Sequence, residues 1–176
     1  MKIIVLGNVG SGKTTISQLI KSRFPEFEYL AIDTFRQNLS DGSDEGETVA
    51  KETFVDAVTT DNRNQILEFT GLGEVATMLE EKFMDSDAII LVLVLVADTD
   101  ICLQRIANRK HKVPFPSKRL PIEELIKQSE YFFSSGMLPL RWSLTPKTTL
   151  LKTPNNDLVQ QNYILSCIES FIKINL

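Results

Sequence analysis

Apolar runs that suit strands alternate along this chain with apolar residues at helical spacing. Strands are predicted at five such runs, residues 2–6, 28–32, 65–70, 87–97 and 148–152. Helices are predicted between and after them, at residues 15–22, 48–58, 74–83, 99–108, 121–135 and 157–174. Because strands that alternate with helices form parallel sheets, we predict an α/β fold with a five-stranded parallel sheet.

One segment, residues 38–47, interrupts this alternation. It is polar and acidic, and it contains two glycines. Such a composition is typical of a loop. We therefore predict a mobile loop here, which would shape part of a substrate pocket together with the helix that follows it.

The length and the composition indicate one domain that spans residues 1–176. The net charge of −4 argues against a broad nucleic-acid footprint, so a polynucleotide partner is not expected. Two cysteines are too few for a disulfide framework or a zinc site. The apolar run at 88–97 is too short to span a bilayer, and no signal-peptide pattern precedes the first strand. We expect a cytoplasmic protein without membrane contact.

Residues 7–14 have the sequence Gly-Asn-Val-Gly-Ser-Gly-Lys-Thr, which matches the phosphate-binding motif G-x-x-x-x-G-K-[ST]. Glycines let the backbone curl closely around phosphates, and successive N–H groups then form an anion-binding concavity. The motif follows a predicted strand and begins a predicted helix, which argues against a glycine-rich turn with an incidental lysine. The candidate nucleotide-binding residues are Gly7, Asn8, Val9, Gly10, Ser11, Gly12, Lys13, Thr14 and Thr15.

The last two residues of this motif carry the predicted chemistry. Lys13 can reach the β- and γ-phosphates of a nucleoside triphosphate, so it is a candidate catalytic residue. The Thr14 hydroxyl is a candidate ligand of Mg²⁺. The guanine-recognition sequence Asn-Lys-x-Asp does not occur in the chain, and we expect ATP and Mg²⁺ as the ligands.

Asp33 and Arg36 follow the second predicted strand, at the edge where parallel sheets of this kind carry their sites. The Asp33 carboxylate could accept a proton from a substrate hydroxyl, or it could hold Mg²⁺ through water. Its alternative is a helix N-cap. Arg36 lies one turn onward and could bind an anionic acceptor, and its alternative is a solvated helix residue.

Glu68 ends the third predicted strand, in an otherwise apolar run. A buried carboxylate needs a partner or a functional role, so we predict either a contact to metal-bound water or a hydrogen bond to backbone at the edge of the core. Gly71 and Gly73 follow it. They either form the turn or allow a substrate to approach the backbone closely.

Arg105 and Arg109 are spaced four residues apart, so they share one face of a predicted helix. Guanidinium groups suit the charge that develops on a phosphoryl group during its transfer. The alternative is a solvated basic face. The basic, proline-broken segment 109–119 follows directly, and it favours an anion-binding role.

With these motifs the chain resembles the small P-loop kinases of the nucleoside-monophosphate kinase and shikimate kinase type. The resemblance implies a three-layer α/β/α fold with sheet order 2-3-1-4-5 and a lid at about residues 109–120. It also implies transfer of the γ-phosphoryl group of ATP to a small-molecule or nucleotide acceptor. The chain carries neither the Asp-Gly-x-Pro-Arg turn of the first type nor the Gly-Gly-Gly turn of the second, so its acceptor is left open.

The leading hypothesis is therefore a kinase with an unknown acceptor. The alternatives are a regulatory nucleotide-binding protein with slow or no hydrolysis, and a kinase of polynucleotide ends. The expected catalytic residues are Lys13, Asp33, Arg105 and Arg109. The expected substrate-binding residues are Asp33, Arg36, Glu68, Gly71 and Gly73, and the expected metal ligands are Thr14, Asp33 and Glu68.

Overall fold

The computed structural model describes residues 1–60, 63–109, 113, 120–134, 142 and 147–176. Its strands are β1 (Lys2–Gly7), β2 (Glu28–Ala31), β3 (Gln65–Glu68), β4 (Ile90–Val96) and β5 (Thr148–Pro154). The helices among these residues are α1 (Lys13–Arg23), α2 (Ile32–Leu39), α3 (Asp44–Thr60), α4 (Glu74–Met84), α5 (Thr99–Ala107), α6 (Ile122–Ser134) and α7 (Leu158–Asn175). In this part of the chain, no helix combines the length and the hydropathy needed to cross a membrane.

The five strands form one sheet in the order β2-β3-β1-β4-β5, and every neighbouring pair is parallel. β1 lies at the centre, where Ile4 is in register with Leu67 of β3 and Val92 of β4. Apolar side chains on both faces of β1 and β4 are fully buried, as expected for parallel strands covered by helices on both sides. The predicted fold class and strand order are confirmed.

Each face of the sheet has its own apolar core. On one face, residues of α1 and α7 such as Ile16 and Ile168 pack against alternate residues of β1 and β4. On the other face, residues of α2, α3, α4 and α6 such as Phe54 and Leu79 pack against the remaining ones. Trp142 is also buried in this second core. The protein is thus a three-layer α/β/α structure.

The predicted loop at residues 38–47 is wrong over most of its length. α2 continues to Leu39 and α3 begins at Asp44, so only residues 40–43 connect the two helices. The Ser43 hydroxyl accepts a hydrogen bond from the Gly46 N–H at 3.0 Å, which caps α3. Three of the four acidic side chains that suggested a loop, Asp44, Glu45 and Glu47, lie in the first turn of α3, where the positive end of the helix dipole stabilises them.

Another prediction concerns the boundary between the second strand and the helix after it. The second strand was predicted to reach residue 32, but β2 ends at Ala31 and α2 begins at Ile32, which places Asp33 in the first helical turn. The N-cap of α2 is Ala31 rather than Asp33.

Of the predicted lid, residues 110–112 and 114–119 lie outside the described residues, and Arg109, Val113 and Leu120 are described.

Candidate active site

Two adjoining cavities open beside the carboxyl ends of β1, β2 and β3. The first, of about 640 Å³, lies along α1 and the phosphate-binding loop of residues 7–14, which we call the P-loop. We call this cavity the P-loop cavity. The second, of about 460 Å³, reaches inward to Arg36, and we call it the Arg36 cavity. Both are lined by Lys13, Asp33, Glu68, Arg109 and Val113. These residues therefore mark the junction at which groups held in the two cavities would meet.

The P-loop backbone requires glycine at its tightest points. Gly10 and Gly12 have φ values of +82° and +90°, in the left-handed region that other residues rarely adopt. A Cβ atom on Gly10 would lie 2.5 Å from the carbonyl oxygen of Cys102, and one on Gly12 would lie 2.4 Å from Nδ2 of Asn155. The loop is thus held closely against α5 and the segment after β5.

Lys13 begins α1 with its ammonium group inside the loop. Its Nζ donates hydrogen bonds to the carbonyl oxygens of Gly7, at 3.0 Å, and Asn8, at 2.9 Å. Burial lowers the pKa of Lys13, although the nearby carboxylates of Glu68 and Asp33 act against this. A desolvated ammonium group held in this way is a strong partner for phosphate oxygens.

Glu68, at the end of β3, is held by two hydroxyl groups. Thr14 Oγ1 donates to its Oε1 at 2.6 Å, and the Tyr29 hydroxyl donates to its Oε2. Only 6% of Glu68 is exposed, so these bonds satisfy a carboxylate that burial would otherwise penalise. Burial, together with the charge and hydrogen bond of Glu68, raises the pKa of Tyr29 well above its usual range.

The sequence predicted that Glu68 would either contact metal-bound water or hydrogen-bond to backbone. Its observed partners are the hydroxyl groups of Thr14 and Tyr29 and not backbone groups. Tyr29 was not singled out in the sequence. It lies on β2 in register with Ile66, two residues before Glu68, and residues two apart on a strand share one face of the sheet. This register forms only when β2 and β3 pair, so the sequence carried no local signal for Tyr29.

The side-chain oxygen atoms of Thr14, Glu68 and Asp33 suit Mg²⁺. Thr14 and Glu68 present a hydroxyl and a carboxylate in direct contact, and the half-exposed Asp33 lines the same cavity. Among the described residues no cluster of three or more acidic, histidine or cysteine side chains could hold a metal by itself. Mg²⁺ commonly binds through one or two carboxylates together with substrate phosphates, and this donor set fits that pattern.

Arg36 and Asp33 are joined within α2, and Arg36 is also joined to α3. Nη1 of Arg36 lies 3.0 Å from Oδ1 of Asp33. Glu47, which was not singled out in the sequence, accepts from Arg36 Nη2 at 2.7 Å and from Arg36 Nε at 2.9 Å. Burial acts against both charges, but their mutual attraction outweighs it, so the pKa of Arg36 is raised and that of Glu47 is lowered.

Arg105 lies in α5, whereas Arg109 follows the end of that helix at Ala107, so the prediction that both share one helix face is wrong. Arg105 donates from Nη1 to the carbonyl oxygen of Gly10, at 3.3 Å, and from Nη2 to that of Asn156, at 3.2 Å. It therefore links the P-loop to the segment after β5. Arg109 lies at the junction of the two cavities, close enough to Lys13 for its charge to lower the pKa of that lysine.

Gly71 and Gly73 lie apart from this junction. A Cβ atom on Gly71 would come within 2.9 Å of Leu6 Cδ1, so this glycine allows the turn after β3 to pack on β1. Gly73 precedes α4 with φ of +75°. It lines a separate cavity of about 220 Å³ that also contacts Arg36 and Glu47. Neither glycine lines the P-loop cavity or the Arg36 cavity.

Asn155 is a further residue that the sequence did not reveal. It is fully buried, and its Nδ2 donates to the carbonyl oxygen of Ser11 at 2.7 Å. Its backbone N–H donates to Val96 of β4. The side chain therefore fixes the P-loop to the sheet, a role that depends on tertiary contacts and leaves no local sequence signal.

Three solved structures with the same fold cover almost the entire chain. A candidate kinase of Chloroflexus aurantiacus is 18% identical, with a TM-score of 0.66 over 99% of this chain and 97% of its own. Shikimate kinase from Acinetobacter baumannii, solved with shikimate, is 14% identical, with a TM-score of 0.62 over 99% and 94%. Deoxyadenosine kinase from M. mycoides, solved with dCMP and dCDP, is 18% identical, with a TM-score of 0.55 over 97% and 100%.

These likenesses establish the architecture of the chain. Neither a protein-family model nor a curated protein sequence matches it. The chain shares its fold with these solved kinase structures, and its strand order is the one that the resemblance implied.

Proposed function

We propose that this protein is an ATP-dependent phosphotransferase that transfers the γ-phosphoryl group to a small acceptor. The observation that carries the proposal is the junction of the P-loop cavity and the Arg36 cavity. A loop suited to phosphates opens on one side of Lys13, Asp33 and Arg109, and a second, largely apolar cavity opens on the other. Two cavities that meet at such charges suit a donor and an acceptor.

The donor side is formed by the P-loop. Its backbone N–H groups and the N-terminus of α1 would bind the phosphates of ATP, and Lys13 would stabilise charge on the γ-phosphoryl oxygens. Thr14, Glu68 and Asp33 would hold Mg²⁺, which when bound neutralises charge on the β- and γ-phosphates. Arg105 keeps the P-loop in place through its contact with Gly10.

The acceptor side is organised by Asp33 and Arg109. We infer that an acceptor hydroxyl binds in the Arg36 cavity and attacks the γ-phosphorus. A bond forms between the acceptor oxygen and phosphorus, the bond from phosphorus to the bridging oxygen of ADP breaks, and the hydroxyl proton passes to Asp33. Arg109 would offset charge on the transferring group. Positioning and charge stabilisation supply most of the catalysis in such reactions.

The solved structures of this fold support the same conclusion by analogy. They include kinases solved with shikimate and with deoxycytidine nucleotides, so this fold accommodates small-molecule ligands. Analogy of fold does not identify an acceptor.

An acceptor screen tests the proposal. Purified protein with ATP and Mg²⁺ should consume ATP at a rate that depends on one class of hydroxyl compound, and Lys13→Ala should reduce that rate at least roughly 100-fold. Lys173→Ala, on the exposed side of α7, is the matched control and should leave the rate unchanged. Tight ATP binding without turnover across nucleosides, sugars and hydroxy acids would instead indicate a regulatory nucleotide-binding protein.

A further inference from the structure

The Arg36 cavity is largely apolar away from its junction with the P-loop cavity. Its volume of about 460 Å³ suits a ligand of the size of a nucleoside or a substituted ring. Its apolar lining consists of Val9, Ile32, Phe69, Ile106, Ala107, Val113 and Ile122. An acceptor there would place an apolar face against these side chains.

Arg36, the one cation that the described residues place at the inner end of this lining, is already paired with carboxylates. Glu47 binds it through two nitrogens, and Asp33 binds it through a third. The side chains of Arg36 and Glu47 are only 14% and 10% exposed. A buried pair of this kind is costly to separate, so the guanidinium group is a poor partner for an additional anion.

The wider charge network has an excess of negative charge. Lys51 lies 3.6 Å from Glu47 and 3.3 Å from Glu74, and it extends the network outward. The connected groups are Asp33, Arg36, Glu47, Lys51 and Glu74. These five side chains comprise two cations and three anions, so as a group they would repel rather than attract an anion at the inner end of the cavity.

The other cations of the described lining lie at the junction. Lys13 and Arg109 line both cavities, where they face the position proposed for the transferring phosphoryl group. We propose that the acceptor is an uncharged alcohol with an apolar face, and that the Arg36–Glu47 pair selects against acceptors that carry a carboxylate or a phosphate. This inference rests on the proposed function and narrows its acceptor class.

Binding measurements on matched compounds test the inference without any turnover. We suggest three pairs, adenosine with its 5′-monophosphate, thymidine with its 5′-monophosphate, and methyl shikimate with shikimate. Each pair differs by one anionic group. Calorimetry with the full chain should give saturable binding of an uncharged member, at least roughly tenfold tighter than that of its anionic counterpart. Equal or tighter binding of the anionic member, or no saturable binding of any uncharged compound, would overturn the inference.

A pair of variants then tests the role assigned to Glu47. Glu47→Gln removes one negative charge and keeps an oxygen that can accept from Arg36, so the preference for the uncharged member should fall by roughly tenfold. Glu52→Gln removes the same charge from an exposed side chain of α3 outside the network, and it should leave the preference unchanged. An unaltered preference in folded Glu47→Gln would overturn the role of the pair. If that variant does not fold, the wild-type comparison decides.

The two proposals can fail separately. Turnover of an anionic acceptor alone would leave the phosphotransferase proposal intact and overturn the uncharged acceptor. Binding of uncharged alcohols without any acceptor-dependent turnover would support the selectivity of the Arg36 cavity and overturn the phosphotransferase proposal.

Discussion

At the scale of single residues, Glu68 links three strands to the phosphate-binding loop. It lies on β3 between β1 and β2, and it accepts hydrogen bonds from Thr14 and Tyr29. A carboxylate in this position would be costly without donors. Tyr29 therefore positions a group that is a candidate metal ligand.

Removal of the Tyr29 hydroxyl should destabilise the fold. Tyr29→Phe leaves Oε2 of Glu68 without that donor in a buried place, and we expect a loss of about 1–3 kcal/mol in the free energy of unfolding. Urea unfolding monitored by circular dichroism measures it. Tyr163→Phe is the control, since Tyr163 is 60% exposed, and a loss of equal size there would contradict the assigned role.

The same tyrosine predicts how stability changes at alkaline pH. Because the pKa of Tyr29 is raised in the folded state, the folded protein keeps a proton that the unfolded chain loses above the ordinary tyrosine pKa of 10.0. The contribution to stability is therefore complete below pH 10 and is lost as the pH rises further. Urea midpoints should fall less steeply above pH 10 in Tyr29→Phe than in the wild type, and identical slopes would contradict this.

Residues within the phosphate-binding motif could be predicted from sequence, whereas their supporting residues could not. Lys13 and Thr14 belong to a contiguous motif whose physical requirements are local. Tyr29 and Glu47 act through contacts across 39 and 11 positions of the chain. Such contacts arise only when strands pair and helices pack, so one sequence gives no local signal for them.

At the scale of elements, the start of α3 acts on the inner end of the Arg36 cavity through its pairing with Arg36. Its first turn includes Glu47, which faces Arg36 of α2. The sequence contained a usable signal here, because Ser43 followed by three acidic residues within four positions is typical of a helix N-terminus. The two glycines and the polar composition favour a loop instead, so the predicted helix begins at residue 48, four residues after the observed start of α3.

The segment after β5 holds the P-loop through the hydrogen bond from Asn155 to Ser11. Loss of this hydrogen bond should have a measurable effect. Asn155→Ala removes the bond to Ser11 and leaves a buried carbonyl without that donor, so we expect a loss of about 1–3 kcal/mol in stability and a higher KM for ATP. Asn162→Ala, on an exposed position of α7, is the control. An unchanged KM in Asn155→Ala would show that the contact supports the fold and not the nucleotide site.

At the scale of the whole molecule, the pattern of apolar runs predicted a parallel sheet, and the family resemblance implied the order of its strands, which the structure confirms. The most apolar strands, β1 and β4, lie at the centre, and the shorter β2 lies at an edge. The acceptor was left open because it depends on how α2 packs on α3 and on the pairing of Arg36, which are properties of the folded chain. Sequence therefore determined the donor side more fully than the acceptor side.

Nucleotide binding should stabilise the whole molecule, because the P-loop joins the sheet, α1, α5 and the segment after β5. At a concentration of Mg²⁺–ATP about 100-fold above its Kd, we expect about 2.7 kcal/mol of added stability and a rise in Tm of roughly 5–10 °C. Differential scanning calorimetry with and without nucleotide measures the rise within each variant, so a change in basal stability does not affect the comparison. Lys13→Ala should largely lose the rise, and Lys173→Ala should keep it. An equal rise in both variants would mean that the nucleotide does not depend on Lys13 and binds elsewhere on the protein.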